Sequence, residues 1–455
     1  MRLIYSIITN PLFIFAAQAA SYSPALDPTN TNQLQKATSQ ALKNLLTYYT
    51  PNAGGVFDQS LTPWHESGMI WGMFMDYLKY TGDRQFLNLV TGALANASYN
   101  TAHDFLGGAQ TKLAEKFLGR WNDDILWHSQ VFVGGAEILG PTSEMPGAKS
   151  DWISLAVKTY EQVRSQTDGK CGGGIYWSRA RDNPSGNYKS VITQLEFVSQ
   201  GARNFLLTHD VQAFARSKVV LEWVISSSVG NSKIGILFDG LEADNCTKVT
   251  KKNWSYNYGQ LLGSLAWMFK ATKDEKYLDL TVPYFEYATQ RFSPKSNFGV
   301  IAELCEKAKK KCNRDQQGFK AVYVRNLAYL YRETNNNTMR KAIKNMIDAT
   351  LHAMVQRSCD KDWNCGGNWT QDKQPVKYVR SQHVSAALLV ASLGIYTSKD
   401  VQGRNGSVAS TSSPINGGLN SSESSEDEQS SAAFTEVLGK KWIAIRMFFI
   451  LLLCS

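Results

Sequence analysis

The sequence predicts an all-α chain, an (α/α)6 toroid in which six helical hairpins form one closed domain. Three observations point there. Apolar residues recur at helical spacing between Thr31 and Thr397, while strand-like alternation is scarce. A short turn of similar composition returns at Tyr80-Thr81-Gly82-Asp83, Leu207-Thr208-His209-Asp210, Ala271-Thr272-Lys273-Asp274 and Glu333-Thr334-Asn335-Asn336. Between these turns lie much longer connections that hold every cysteine but Cys454 and that hold or adjoin most of the tryptophans.

The Asp/Asn positions of those turns are 127, 64 and 62 residues apart, which sets a unit of about 63 residues with one disguised member near Pro146-Gly147. Thr397-Ser398-Lys399-Asp400 falls 64 beyond Asn336 and closes the series. Asp or Asn at such a turn can cap the next helix by accepting a hydrogen bond from a free N–H. Two helices per unit predict twelve, beginning near residues 31, 67, 83, 122, 150, 188, 211, 254, 275, 316, 337 and 381. Hairpins of this period bury their apolar faces on one another. A closed ring then needs no capping repeats; an open solenoid is the alternative. Short turns fall on one side of the ring. The long loops, at roughly 49–65, 100–121, 168–187, 228–253, 292–315 and 357–380, fall on the other. Loops of that length on a rigid scaffold usually carry function.

The 455 residues are 43% hydrophobic and 19% charged, a core-forming composition. No internal apolar run reaches the ~18–20 residues that span a bilayer, which excludes a multi-pass transporter. Residues 1–20 read as a signal peptide: Arg2, an apolar stretch Leu3–Phe15, then Ala17-Gln18-Ala19. Residues 21–400 form the ring, and 401–431 are a Ser/Gly/Asn-rich linker. Residues 432–455, ending in the apolar Trp442–Cys454, resemble a GPI-attachment signal, with a single anchoring helix as the alternative. The protein is therefore expected at the cell surface, held to the plasma membrane or the wall. The net charge is +9, and removing both ends leaves 44 basic against 38 acidic residues, or +6. An exported chain meets little nucleic acid, so this basicity is expected to face wall or membrane phosphates; Lys307, Lys309, Lys310 and Lys311 read first as a solvated charged loop, with attraction for phosphates as the alternative. Six cysteines remain in the mature chain, and an even count in an oxidising compartment implies three disulfides. Proximity and a shared face predict Cys305–Cys312, Cys359–Cys365 and Cys171–Cys246, out of fifteen possible pairings. Sequons at Asn96, Asn245, Asn253, Asn336, Asn368, Asn405 and Asn420 fit the same route.

The sharpest chemical feature is Trp121-Asn122-Asp123-Asp124-Ile125-Leu126-Trp127, where a long loop enters the fourth helix. Asn-Asp-Asp there fits a capping sequence, with acids at the positive end of a helix. It also fits the carboxylate pair of a glycosidase, in which one acid protonates the leaving oxygen and the other attacks. Neighbouring residues can hold their carboxyl groups about 5–6 Å apart, the close spacing of a retaining mechanism. Sugar sites combine aromatic rings with Asn, Asp and Tyr. The same rim holds Trp64-His65-Glu66, Cys171-Gly172-Gly173-Gly174-Ile175-Tyr176-Trp177, Phe238-Asp239-Gly240 and Asn253-Trp254-Ser255-Tyr256-Asn257-Tyr258-Gly259. Asp360, Asp362 and Asn364 lack the Gly and terminal Glu of a calcium loop. Six scattered histidines, with no HExxH and no paired CxxC, leave no zinc site. No cofactor is implied.

Taken in order, Trp-Asn-Asp-Asp, Cys-Gly-Gly-Gly-x-x-Trp, Asp-Gly…Asn-Cys-Thr…Trp-Ser-Tyr-Asn-Tyr-Gly and Cys…Cys-Asn-x-Asp-Gln…Phe-Lys resemble glycoside hydrolase family 76 over about residues 30–397. The closer resemblance is to its fungal GPI-anchored, wall-organising branch of mannan endo-1,6-α-mannosidases. That resemblance implies an (α/α)6 barrel and retaining cleavage of α-1,6-mannosidic bonds, with Asp123 as nucleophile and Asp124 as general acid/base. It also implies mannose subsites shaped by Trp177, Asp239, Trp254, Tyr256, Asn257 and Tyr258, beside the rim residues Trp64, Glu66, Asn122 and Trp127. The donor would be α-mannan or the mannose core of a GPI glycan, with transfer to a wall β-glucan acceptor. Two departures stand out. Trp64-His65-Glu66-Ser67-Gly68 replaces Trp-Trp-Glu-Ala-Gly, and Ile125-Leu126-Trp127-His128-Ser129 replaces the usual Gln-x-x-Trp-Gly after the acids. A catalytically silent mannan-binding surface protein is the alternative from another class.

Overall fold

A computed structural model describes residues 25–397, apart from 52–53, 99–104, 107–120, 148–149, 183, 310 and 372–377. The expected signal peptide, linker and attachment signal, and the sequons at Asn405 and Asn420, lie outside the described residues.

Among those residues, twelve helices have eleven or more residues: α1 (Thr31–Leu46), α2 (Trp64–Thr81), α3 (Leu87–Ala97), α4 (Asn122–Leu139), α5 (Trp152–Arg164) and α6 (Val191–Thr208), then α7 (Val211–Ser226), α8 (Ser255–Thr272), α9 (Lys276–Phe292), α10 (Phe319–Glu333), α11 (Asn337–Ser358) and α12 (Val379–Tyr396). The even-numbered helices pack in the cycle α2–α4–α6–α8–α10–α12 and back to α2, so the inner ring closes. That closure decides for the toroid against the open solenoid. Each odd-numbered helix packs outside it; α1, for example, lies on α12. Sequence explains the layering. Inner helices bury most of their residues, and α12 buries all but Ser381 and Tyr396. Outer α1 buries one stripe, Leu34, Ala37, Thr38, Ala41, Leu42 and Leu45. Glycines let inner helices touch: a Cβ at Gly68 would lie 2.7 Å from the His128 nitrogen on α4, and one at Gly259 would lie 2.6 Å from Tyr323 Cα on α10.

The repeated turn has one hydrogen-bond signature. Thr81, Thr208, Thr272 and Thr334 each accept, on Oγ1, the N–H two residues ahead, at 3.1–3.2 Å. Asp210 and Asn336 then cap α7 and α11 as expected, accepting from Gln212 and Met339. Asp83 and Asp274 instead accept the N–H of Gln85 and Lys276 ahead of, or at, the first helical residue. Helix starts fall within four residues of those predicted.

The long loops are less bare than the sequence suggests. Two hold short strands: β1 (Tyr188–Ser190), β2 (Gly230–Asn231), β3 (Ile236–Leu237), β4 (Gly240–Glu242) and β5 (Asn245–Thr250). Antiparallel β1-β4-β5 form one small sheet and β2-β3 another. The helix expected from residue 188 therefore starts at Val191, because Tyr188–Ser190 is drawn into extended pairing with β4. All three expected disulfides are present, Cys171–Cys246, Cys305–Cys312 and Cys359–Cys365. Among the described residues no helix is long and apolar enough to cross a membrane, and no cluster of His, Cys, Asp or Glu is arranged for a metal.

Candidate active site

Five of the six long connections converge on a cavity of about 780 Å³ at one end of the ring. Asp123 and Asp124 reach it from the first turn of α4, where unpaired backbone N–H groups favour negative charge. Main-chain bonds fix that helix start. The Asn122 N–H donates to the Trp177 carbonyl (2.7 Å), the Trp177 N–H to the Tyr188 carbonyl (2.8 Å), and the Val191 N–H to the Asp239 carbonyl (2.8 Å). Two long connections, the one through Trp177 and Tyr188 and the one through Asp239, are thereby laced to the α4 end. Lys189 adds a buried clasp, donating to Asp168 (2.7 Å) and to the carbonyls of Lys170 and Gly173 in the Cys-Gly-Gly-Gly loop.

The two acids differ in setting. Asp123 is buried, whereas the Asp124 side chain is 16% exposed, with His65 Nδ1 3.4 Å from its Oδ1. Burial, and after it the Asp124 charge, push the Asp123 carboxyl up to about 7, against opposing pulls from the Trp177 indole and His65. The repulsion between the acids is symmetric; the burial is not. Burial and the neighbouring charge thus both favour the protonated form of Asp123.

Aromatic rings make the walls. Trp121 and Trp177 face each other with centroids 5.4 Å apart, and Tyr256 stacks on Phe319 at 3.9 Å. Trp64, itself a lining residue, stacks on His128 at 3.9 Å. Trp254 and Asp239 complete that side; Asp239 accepts from the Tyr188 hydroxyl (2.8 Å), and burial raises its carboxyl above the usual range. Trp127 lines the floor, packed with Met69, Ile192 and Val322 in a small apolar cluster.

Trp64, Asp123, Asp124, Trp127, Trp177, Asp239, Trp254 and Tyr256 thus line one cavity. Glu66, Asn122, Asn257 and Tyr258 do not. Glu66 is fully enclosed, its carboxylate bonded to Arg380 (2.9 Å), His383 (2.8 Å) and the Thr62 hydroxyl. Asn122 is a fastener, donating to the Tyr176 carbonyl (2.8 Å) and accepting from Arg179 (2.9 Å). Tyr258 accepts from the Leu237 N–H (2.9 Å) and stacks on Tyr287. Asn257 is buried behind Asp239. All four are buried and outside the cavity lining. Residues that sequence reasoning did not assign to the site also line the cavity: His65, Trp121, Tyr188, Ser190, Phe319 and the segment 313–316. The Asn-x-Asp-Gln motif was the available signal for that segment. Tyr188 and Ser190 had none, because their place depends on pairing with β4. Of the sequons described, Asn96, Asn245 and Asn336 are exposed, while Asn253 Nδ2 donates to the Leu237 carbonyl (2.8 Å).

A ring of hairpins that gathers two adjoining carboxyls under aromatic walls is the architecture of an enzyme for glycosidic bonds. The chain belongs to glycosyl hydrolase family 76, whose family model matches residues 33–405. It is similar to the mannan endo-1,6-alpha-mannosidase DCW1 of Candida albicans, 27% identical over 379 residues covering 80% of each chain. The Saccharomyces cerevisiae mannan endo-1,6-alpha-mannosidase DFG5 is 25% identical over 83% of this chain and 81% of its own. Among solved structures, Dfg5 from Chaetomium thermophilum in complex with glucosamine superposes with a TM-score of 0.72 at 20% identity, covering 82% of this chain and 93% of that one. An inactive double Asp→Asn variant of the alpha-1,6-mannanase GH76A of Salegentibacter sp. HEL1_6, in complex with alpha-1,6-mannotriose, superposes with a TM-score of 0.64 at 13% identity, covering 80% and 99%. These structures share the fold.

Proposed function

We propose that the protein is a retaining endo-α-1,6-mannosidase of the fungal cell surface that can pass its glycosyl group to a sugar acceptor. The observation that carries this is the Asp123–Asp124 pair beneath the tryptophans of the long-loop face. Asp123 attacks the anomeric carbon while Asp124 gives its proton to the departing oxygen. Asp124, now a base, then deprotonates the incoming hydroxyl, which frees the sugar from Asp123. Water gives hydrolysis. A β-glucan hydroxyl gives transfer of α-mannan, or of a GPI-core glycan and its cargo, to the wall. The aromatic walls favour sugar in both roles, because ring faces pack on C–H faces.

The signal-like residues 1–20, the sequons and the three disulfides support an exported protein. The apolar terminus 432–455 supports GPI attachment after the linker 401–431. Release from intact cells by a GPI-specific phospholipase tests the anchor. Incubation with α-1,6-mannan and a labelled glucan oligosaccharide tests the reaction. Retained anomeric configuration in the first products, with loss of turnover on either Asp→Asn substitution, is expected. Inverted product, or unchanged turnover, refutes the reading.

A further inference from the structure

Glu196 takes no part in the steps above, and its surroundings are unusual for a carboxyl. It lies on α6 one turn deeper than Ile192 and on the same face, with no exposed surface. Neither of its oxygens has a hydrogen-bond partner among the described residues, and Asp123 Oδ1, also buried, has none either. The apolar cluster of Met69, Trp127, Ile192 and Val322, with Tyr256 against it, lies at the cavity floor on this side of the ring.

The charges that act on Glu196 are both negative. Helix α6 packs against α4, α5, α7, α8 and β1. From α4 come Asp123 and Asp124, and from α8 the Tyr256 hydroxyl. No charged group of α5 or α7 acts on it. The cations of β1 and α6 are engaged with other carboxylates, Lys189 with Asp168 (2.7 Å) and Arg203 with Glu137 (2.7 Å). Burial, followed by the fields of the two aspartates, holds the Glu196 carboxyl protonated well above its usual range. A buried polar group without a partner is costly, so one kept here calls for a reason.

We infer that Glu196 is a positioning residue for the acid pair, an uncharged carboxylic acid throughout turnover whose O–H is offered, through one bridging water, to Asp123 Oδ1. This rests on Asp123 and Asp124 being the reacting groups. A donor aimed at a carboxylate stabilises its ionised form and fixes its rotamer without adding a third negative charge. It would let Asp123 give up its proton at the moment the glycosidic oxygen draws on Asp124.

Two substitutions of similar size separate the outcomes. Glu196→Gln keeps an uncharged donor, whereas Glu196→Met removes it. On α-1,6-mannan, Glu196→Gln is expected within about three-fold of the parent, with the same pH profile. Glu196→Met should lose about 10–100-fold in kcat/KM, the range for a hydrogen bond to a charged group. Its acidic limb should move up by about one pH unit, since the nucleophile becomes harder to ionise. Equal losses in both variants, or a Met variant with the parent's profile, overturn the inference. Infrared difference spectra give a readout independent of activity and of how the Met variant folds. At pH 7 the parent minus Glu196→Gln spectrum should show the C=O stretch of a protonated carboxylic acid, and its absence also overturns the inference. If Asp123→Asn and Asp124→Asn remain active, the reading of the pair fails instead, while the infrared result still reports on Glu196.

Discussion

Asp123 is a carboxyl that the fold holds at a cost, and Asp123→Asn should expose that cost. Its folded-state value near 7, against 3.8 for an ordinary aspartate, is a difference of roughly 3 units, or about 4 kcal/mol. The sign follows from linkage. A folded pKa above the unfolded one contributes stability below about pH 4, and that contribution is lost as pH rises through 7. Asparagine does not ionise and loses nothing over this range. Its stability relative to the parent should therefore climb by up to about 4 kcal/mol between pH 4 and pH 8. At a few degrees per kcal/mol for a large domain, that is on the order of 5–10 °C in relative Tm. Scanning calorimetry of both disulfide-bonded proteins at several pH values measures it, with mannan turnover followed in parallel. The variant should be more heat-stable at pH 8 and nearly inactive. Parallel Tm-versus-pH curves for the two proteins would refute the buried, proton-holding setting of Asp123.

Asp124→Asn should abolish mannan cleavage, yet on an α-mannoside with a weakly basic aryl leaving group, which needs no proton, it should release a burst of aryl product and recover turnover when azide, a nucleophile that needs no base, is added. Recovery in Asp123→Asn instead would exchange the two roles. Cys171 and Cys246 close a 75-residue separation, and replacing both with Ala should cost about 4 kcal/mol; the Cys359–Cys365 bridge, over 6 residues, should be worth about 2. Urea midpoints with and without reductant rank them. Glu66→Ala leaves Arg380 buried without its counter-ion and should destabilise the fold by about 3–5 kcal/mol. Burial opposes ionisation of Glu66, but the His383 and Arg380 contacts outweigh it and hold its carboxyl below the usual range. Its contribution is therefore present at neutral pH and lost on acidification. A Glu66 variant whose stability matches the parent at pH 7 would contradict this.

The ring was legible in the sequence because its punctuation is local. Each Thr-x-Asp/Asn turn closes with a bond between residues two apart, so the period survives even where side chains diverge. The acids were legible for the same reason, being adjacent and flanked by tryptophans. The strand Tyr188–Ser190 was not, since its partner Gly240–Glu242 lies some fifty residues on and only pairing makes it extended. Glu66 read as a rim residue beside Trp64, yet successive helical residues point about 100° apart, and Glu66 turns towards Arg380 and His383 on α12. Glu196 sits in an ordinary helical stretch, and its isolation appears only when the ring closes around it.

The lacing of Asn122 to Trp177, Trp177 to Tyr188 and Val191 to Asp239 divides the mouth of the ring unevenly. Chemistry and one wall travel as a single unit, stapled from behind by Cys171–Cys246. The facing wall, Asn313 to Gln316, is a separate piece that meets the α2 side where Arg314 bonds the Gln59 carbonyl. Lengthening or trimming that piece would reshape which chain can lie in the groove without disturbing the acids. Divergence in polymer choice within this architecture has its cheapest route there.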